Sequence, residues 1–213
     1  MAHEWLRPVN ASSFRCWWPG DDEQYQRYHD TEWGRPVHDD QRLFEKMCLE
    51  GFQSGLSWLT ILRKRENFRE AFGNFSIEVV AGYTQDDVAR LLGNAGIVRH
   101  RGKIEAVINN ALRARELINE TGSLSTFIWS YAPVAPFGRD GEPVHSSGIA
   151  TTSPSATRLS KDLKKRGWKF LGPTTMYSFM QSMGLINDHI DGCWVAEECE
   201  QLRHESIALA SHS

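Results

Sequence analysis

Apolar residues recur along this chain at helical intervals almost from end to end. After Asp39 and Asp40, whose carboxylates suit an N-cap, Leu43, Phe44, Met47 and Cys48 follow at spacings of three and four and lead to Gly51. Trp58, Ile61 and Leu62 share one side of the next helix, and Phe68, Ala71, Phe72 and Phe75 continue its stripe. Thr84-x-x-Asp87 reads as a capping box ahead of Val88, Leu91 and Leu92, and Ile104, Val107, Ile108, Ala111 and Ile118 form the clearest amphipathic helix. Ser153-Pro154 opens a further helix through Leu159 and Leu163 to Gly167. A tight hairpin, Phe170-Leu171-Gly172-Pro173-Thr174, then leads into a helix lined by Phe179, Met180 and Met183. No strand pair is expected, the segment from about Pro133 to Ser153 reads as irregular, and the tail after about Glu200 reads as frayed. The pattern predicts an all-α protein without internal repeats.

One polar position breaks the logic of its stripe. Glu50 follows Leu43 and Met47 at i+7 and i+3, so it shares their inward face. A carboxylate there is costly unless something pairs with it, which marks Glu50 as a candidate functional acid; an acid at a frayed helix end is the plainer alternative.

Composition narrows the class. At 213 residues, with 40% hydrophobic content, the chain is long enough for one generous core or two small lobes. No stretch approaches the roughly 18 to 20 apolar residues of a membrane helix, and MAHEWLRPVNASSF has no apolar run of signal-peptide type, so a cytoplasmic protein with no membrane partner is expected. Four cysteines allow two disulfides, but Cys48 lies in a helical stripe and Cys199 in an acidic run, which disfavours a secreted framework. The net charge of −3 argues mildly against a nucleic-acid partner. Its distribution argues the other way: bases gather at Arg63-Lys64-Arg65, around Arg99, Arg101 and Lys103, and from Lys161 through Lys165 and Arg166 to Lys169.

Cys16 and His29 lie near the start, and His189 and Cys193 near the end. Two Cys and two His suit tetrahedral zinc, and His189-x3-Cys193 on a helix would present both side chains on one face. Spacing alone leaves open a buried cysteine and an ordinary core or surface histidine.

Lys165-Arg166-Gly167-Trp168-Lys169-Phe170-Leu171-Gly172-Pro173-Thr174 before an apolar helix resembles the helix-hairpin-helix element of DNA glycosylases, in which hairpin N–H groups and a helix N-terminus meet a phosphate. Longer runs narrow the resemblance. Arg15-Cys16-x-Trp18, Tyr28-His29-Asp30-x-Glu32-Trp33-Gly34, Cys48-Leu49-Glu50-Gly51, Gly55-Leu56-Ser57-Trp58, Gly96-Ile97-x-Arg99-His100-Arg101-Gly102-Lys103-Ile104 and Asn187-Asp188-His189 together resemble the 3-methyladenine-DNA glycosylase I family of bacterial alkylation-repair enzymes, over essentially Arg15 to Cys193.

The resemblance implies a single helix-hairpin-helix glycosylase domain over residues 1–213. The helix-hairpin-helix would occupy 153–184, and residues 14–34 with 184–199 would form a terminal region clasped by one structural zinc on Cys16, His29, His189 and Cys193. It implies a base pocket of Trp18, Tyr25, Tyr28, Trp33, Glu50 and Trp58, with Glu50 as the catalytic group. DNA contacts would come from Gln53, Gly55, Leu56, Arg101, Lys103, Lys165, Arg166, Gly172 and Thr174, Leu56 being the wedge that fills the gap left by an extruded nucleotide. The expected partners are alkylated double-stranded DNA and free 3-methyladenine as product, with the enzyme a monomer. Many helix-hairpin-helix glycosylases carry an aspartate two residues before a histidine; this chain has Asn187 there, so Asp188 is expected to serve as a cap or partner of His189. With no evident nucleophilic lysine, monofunctional hydrolysis is expected. A zinc hydrolase is disfavoured because four Cys and His ligands leave no open position, and a purely DNA-binding module needs no buried carboxylate.

Overall fold

The computed structural model describes residues 4–140 and 150–210. Among the described residues ten α-helices carry the fold: α1 (Glu23–Thr31), α2 (Asp40–Gln53), α3 (Trp58–Ala71), α4 (Ile77–Ala81), α5 (Gln85–Gly93), α6 (Arg101–Thr121), α7 (Leu124–Trp129), α8 (Pro154–Lys165), α9 (Pro173–Ser182) and α10 (Ala196–Ala210). Their starts follow local chemistry. Asp22, Asp39, Ser57, Ser123 and Ser153 each accept a backbone N–H of the first turn, and Thr84 and Asp87 form the expected capping box.

Helix α2 is the axis of the molecule. Every residue from Leu43 to Phe52 is buried, against α3, α6, α7 and α9. A helix enclosed on all sides cannot leave a charge to solvent, so Glu45, Lys46 and Glu50 must all find partners inside the protein. Glu45 pairs with Arg69 of α3 at 2.9 Å, and Lys46 pairs with Glu50 at 2.9 Å.

Three expectations need correction. First, a short antiparallel ribbon pairs β1 (Leu6–Pro8) with β2 (Phe14–Cys16), Leu6 opposite Cys16, and Phe14 bridges in parallel to Cys193. Three-residue strands, one of them ending in proline, are too short for a legible alternation. Second, the tail is not frayed, because α10 runs to Ala210. Its anchor is Arg203, fully buried, whose guanidinium donates to the carbonyls of Pro133 and Ala135 and to both oxygens of Glu200. Burial alone would raise the Glu200 carboxyl, but Arg203 and the Phe137 N–H more than offset it and hold it below its usual range. Third, His189 and Cys193 do not lie on a helix: residues 187–193 form an irregular strap. Of the expected irregular segment from Pro133 to Ser153, Pro136–Gly138 forms a 3-10 turn, and 141–149 lie outside the described residues.

The strap is fixed by a close approach. Gly184 has φ +77°, and a Cβ there would lie 2.4 Å from the Pro36 nitrogen, so only glycine lets the chain leaving α9 pass over the 34–37 segment. The hairpin between α8 and α9 is held from α6, where Asn110 donates to the Lys169 carbonyl and accepts the Lys169 N–H, each at 2.9 Å.

Arg203→Met should lower stability by about 3–5 kcal/mol, because it strands the buried Glu200 charge and two carbonyls. Urea unfolding monitored by circular dichroism tests this; a loss under about 1 kcal/mol would show that α10 is held by packing alone.

Candidate base pocket and metal centre

The chain ends converge on four buried side chains. The ligand atoms of Cys16, His29, His189 and Cys193 all lie within 4.8 Å of one another. Cys193 Sγ is 3.6 Å from both His29 Nε2 and His189 Nδ1, and Cys16 Sγ is 3.8 Å from His189 Nδ1. Tetrahedral zinc with ordinary zinc–sulfur and zinc–nitrogen bonds places S and N about 3.6 Å apart, so the set has the size of such a site.

The surroundings select the right ring nitrogens. Asp30, itself held by two bonds from Arg15, faces His29 Nδ1 at 2.8 Å, and the Trp33 carbonyl faces His189 Nε2 at 3.2 Å. Each imidazole thus gives its outer N–H away and turns its other nitrogen toward the cluster. The two thiols share one proton: contact with Cys193, and then burial, raise the Cys16 pKa, while Cys16 and the two histidines lower that of Cys193 against its burial. The cluster therefore already favours a thiolate, the form that binds a cation. Asp188 is not the histidine's partner, contrary to expectation. One of its oxygens accepts from Tyr177 at 2.5 Å and from Gln181 at 2.6 Å, and Arg139 approaches the other at 3.8 Å.

Beside the cluster lies a cavity of about 210 Å³, room for one small heterocycle. It is lined by Trp18, Tyr25, Tyr28, Trp33, Glu50, Gln53 and Trp58, together with Ser178 and Gln181. All six residues expected in the pocket are brought together; Ser178 and Gln181 were missed. They arrive from α9, more than a hundred residues away, and carry no local signal in sequence.

Pocket and cluster share walls. Trp18 packs edge-on to His29 at 5.2 Å and to Trp33 at 5.1 Å, and Trp33 packs on His189 at 4.6 Å. The buried indole N–H groups of Trp18 and Trp58 have no acceptor among the described residues. Glu50 is 5% exposed. The partner it needed is Lys46, one turn earlier on the same stripe, a spacing that could have revealed it. Lys46 also donates to the Tyr28 hydroxyl at 2.9 Å and lies 3.1 Å from the Trp58 ring centre. Burial, and then Glu50, push the Tyr25 pKa up to about 12 and raise that of Tyr28 well above its usual value, so both phenols are neutral donors.

This sequence matches the family described as methyladenine glycosylase over residues 18–196. The chain belongs to that family. As a glycosylase it is an enzyme and a hydrolase. It is 47% identical over 179 residues to DNA-3-methyladenine glycosylase 1 of Escherichia coli K12, covering 84% of this chain and 95% of the relative. It shares the same identity over 180 residues with DNA-3-methyladenine glycosylase of Haemophilus influenzae, covering 84% and 96%. A solved 3-methyladenine DNA glycosylase I from Staphylococcus aureus, described for its recognition of 3-methyladenine, superposes with a TM-score of 0.79 at 42% identity, covering 85% of this chain and 96% of that one.

In this glycosylase the turn after α2 stands beside the pocket mouth. Leu56 N–H donates to the Gln53 carbonyl at 2.6 Å, Gly55 takes φ +83°, and Leu56 is left 43% exposed. Lys103 departs from expectation. It is buried, and its ammonium donates to the carbonyls of Phe52 at 2.9 Å and Ser54 at 2.6 Å, so it braces the turn instead of facing outward. The remaining expected DNA contacts are on the surface. Arg101 pairs with Glu105, Lys165 with Asp162 and Arg166 with Glu120, while Gly172 caps α9 ahead of the exposed Thr174. His100 and Phe170 meet edge-on at 6.3 Å and join the start of α6 to the hairpin.

Gly34 lies against the His189 ring at φ +82°, and a Cβ there would lie 2.8 Å from His189 Nε2. Gly34→Ala should therefore tilt the imidazole and cost about 2–4 kcal/mol, read as a lowered melting temperature. An unchanged melting curve would show that the strap yields freely.

Proposed function

We propose that this enzyme excises 3-methyladenine from alkylated double-stranded DNA by monofunctional hydrolysis of the N-glycosidic bond. What carries the proposal is Glu50, a buried carboxylate in a cavity walled mainly by aromatic rings, with Gln53, Ser178 and Gln181 beside them, and sized for one base. Methylation at N3 makes the adenine ring cationic and weakens its bond to deoxyribose. Trp and Tyr faces attract such a ring by stacking and cation–π contact, and Glu50 accepts from the base edge while neutral tyrosine hydroxyls donate to it. Normal adenine lacks the charge and leaves more slowly, so selection acts both at the pocket and at the barrier.

The base must leave the duplex to reach this cavity. Exposed Leu56, on the turn that begins at pocket residue Gln53, is suited to fill the gap, and Lys103 keeps that turn rigid. The hairpin from Arg166 to Gly172 would serve as the phosphate contact of a helix-hairpin-helix element. Asn187 is buried, donates to the Ala196 carbonyl and accepts the His189 N–H, so it locks the strap and supplies no carboxylate to the reaction.

The experiment is release of free 3-methyladenine from methylated duplex DNA at a temperature where circular dichroism shows the protein folded. Wild type should release it, and Glu50→Gln should be slower by about 10- to 1000-fold. Absence of release by folded wild type would defeat the reading; a full-rate Glu50→Gln would remove that residue from it.

Cys16, His29, His189 and Cys193 would hold one structural zinc, which when bound would tie the two chain ends together. Elemental analysis should give about one zinc per chain, and Cys193→Ala should lose the metal and melt at lower temperature. Metal-free wild type of undiminished stability would count against the clasp.

A further inference from the structure

Lys46 is a group that base excision as described above does not use. It is 6% exposed, and it does not line the base cavity. It lies instead in a second, smaller cavity behind it, and Tyr28 and Trp58 form the wall between the two. Its ammonium reaches Glu50 Oε1 at 2.9 Å, the Tyr28 hydroxyl at 2.9 Å and the Trp58 ring at 3.1 Å. Three elements of the base pocket thus meet at one buried positive charge.

The other charges near it have partners of their own. Just past the end of α1 Glu32 faces it, but Glu32 is taken by two bonds from Arg65 of α3. On its own helix Glu45 is taken by Arg69. Arg42 completes the charged lining, which leaves Glu50 as the carboxylate paired with Lys46.

A charge in this place opposes what a pocket for a cation would be expected to want. The opposition is useful because of where charge goes in the reaction. When the C1′–N9 bond breaks, its electron pair moves to the base and extinguishes the ring's positive charge, which reappears on the sugar; water then adds at C1′ and gives its proton to solvent. A bare Glu50 would hold the cationic ring most tightly before the bond breaks, which deepens the ground state and raises the barrier. An ammonium one aromatic ring away reverses that preference.

Building on the function proposed above, we propose that Lys46 is a positioning residue that balances the Glu50 charge, pins the carboxylate and the Tyr28 hydroxyl, and so makes the pocket favour the base as it becomes neutral over the cation that enters. Because Tyr28 accepts from Lys46, its own proton stays free to be donated to the base. Because Lys46 occupies Oε1, the other Glu50 oxygen is the acceptor left for the base edge.

Burial lowers the Lys46 pKa to about 8, with Glu50 partly opposing. The ammonium therefore predominates at neutral pH and is lost as pH rises through that value. The test is steady-state release of 3-methyladenine from methylated duplex by wild type, Lys46→Met and Lys46→Arg between about pH 6.5 and 9.5. At neutral pH Lys46→Met should lower kcat about tenfold and lower KM with it, the signature of a ground state bound too well. Wild type should show the same joint fall as pH passes about 8, Lys46→Met should show no such inflection, and Lys46→Arg should keep neutral-pH behaviour throughout. A Met variant with reduced kcat and unchanged or raised KM would reduce Lys46 to a structural role and overturn the proposal, as would an alkaline inflection that survives in that variant. If Lys46→Met does not fold, the wild-type profile decides alone, and a flat kcat and KM across the range overturns it. Wild type that releases no base at all overturns the function itself, which separates that failure from this one.

Discussion

The enclosure of α2 is the constraint from which much else follows. A helix buried from Leu43 to Phe52 gives no charge access to water, so each ionisable group on it must be matched inside the protein or not be there. Glu45 is matched from α3 and Glu50 from its own helix. The matching also sets the site, because the ammonium that answers Glu50 fixes Tyr28 and covers Trp58. Core and pocket are therefore not separable parts: the same helix supplies Met47 and Phe52 to one and Glu50 to the other.

A second constraint comes from the chain ends. Trp18 and Tyr28 belong to the first thirty residues, which have little helix to fix them beyond α1. They are held because Cys16 and His29 meet His189 and Cys193, with Trp18 and Trp33 packed against the two imidazoles. Gly34 and Gly184 make this convergence sterically possible, one beneath His189 and the other over Pro36. A metal held there would act on the pocket through these ring contacts, at a distance from the bond to be broken. The four-ligand set agrees with that role, since it leaves no coordination position for water.

What could be read in sequence follows from the range of the forces involved. Helix starts such as Asp39, Ser153 and the Thr84–Asp87 box are local chemistry and were legible. So was the misfit of Glu50, because a single charge on an apolar stripe needs only the period of a helix to be noticed. Lys46 is equally local, yet lysine at that position reads as a surface residue until the helix is known to be buried on every side. Long-range features were out of reach. Gln181 reaches the pocket under the hold of Asp188, Lys103 turns inward to the carbonyls of Phe52 and Ser54, and Arg203 rescues a tail whose composition looks soluble and loose. The strap from 187 to 193 shows the same limit: the His-x3-Cys spacing suggested one helical face, yet an irregular segment delivers both ligands.

The position of Trp58 joins these arguments. It lies between Lys46 and the cavity, so a base stacked on it meets a ring whose other face is already occupied by a cation. Such a ring offers dispersion and shape to any purine but less attraction to a charged one than a free indole would. Discrimination against normal adenine therefore cannot rest on stacking against Trp58. In the reaction proposed above it would come from the lability of the bond itself and from the geometry of donors and acceptors at the base edge, which Glu50 and Tyr28 would set. A weak bond needs positioning more than force, and a pocket whose polar groups are pinned from behind by a buried ammonium is built for positioning.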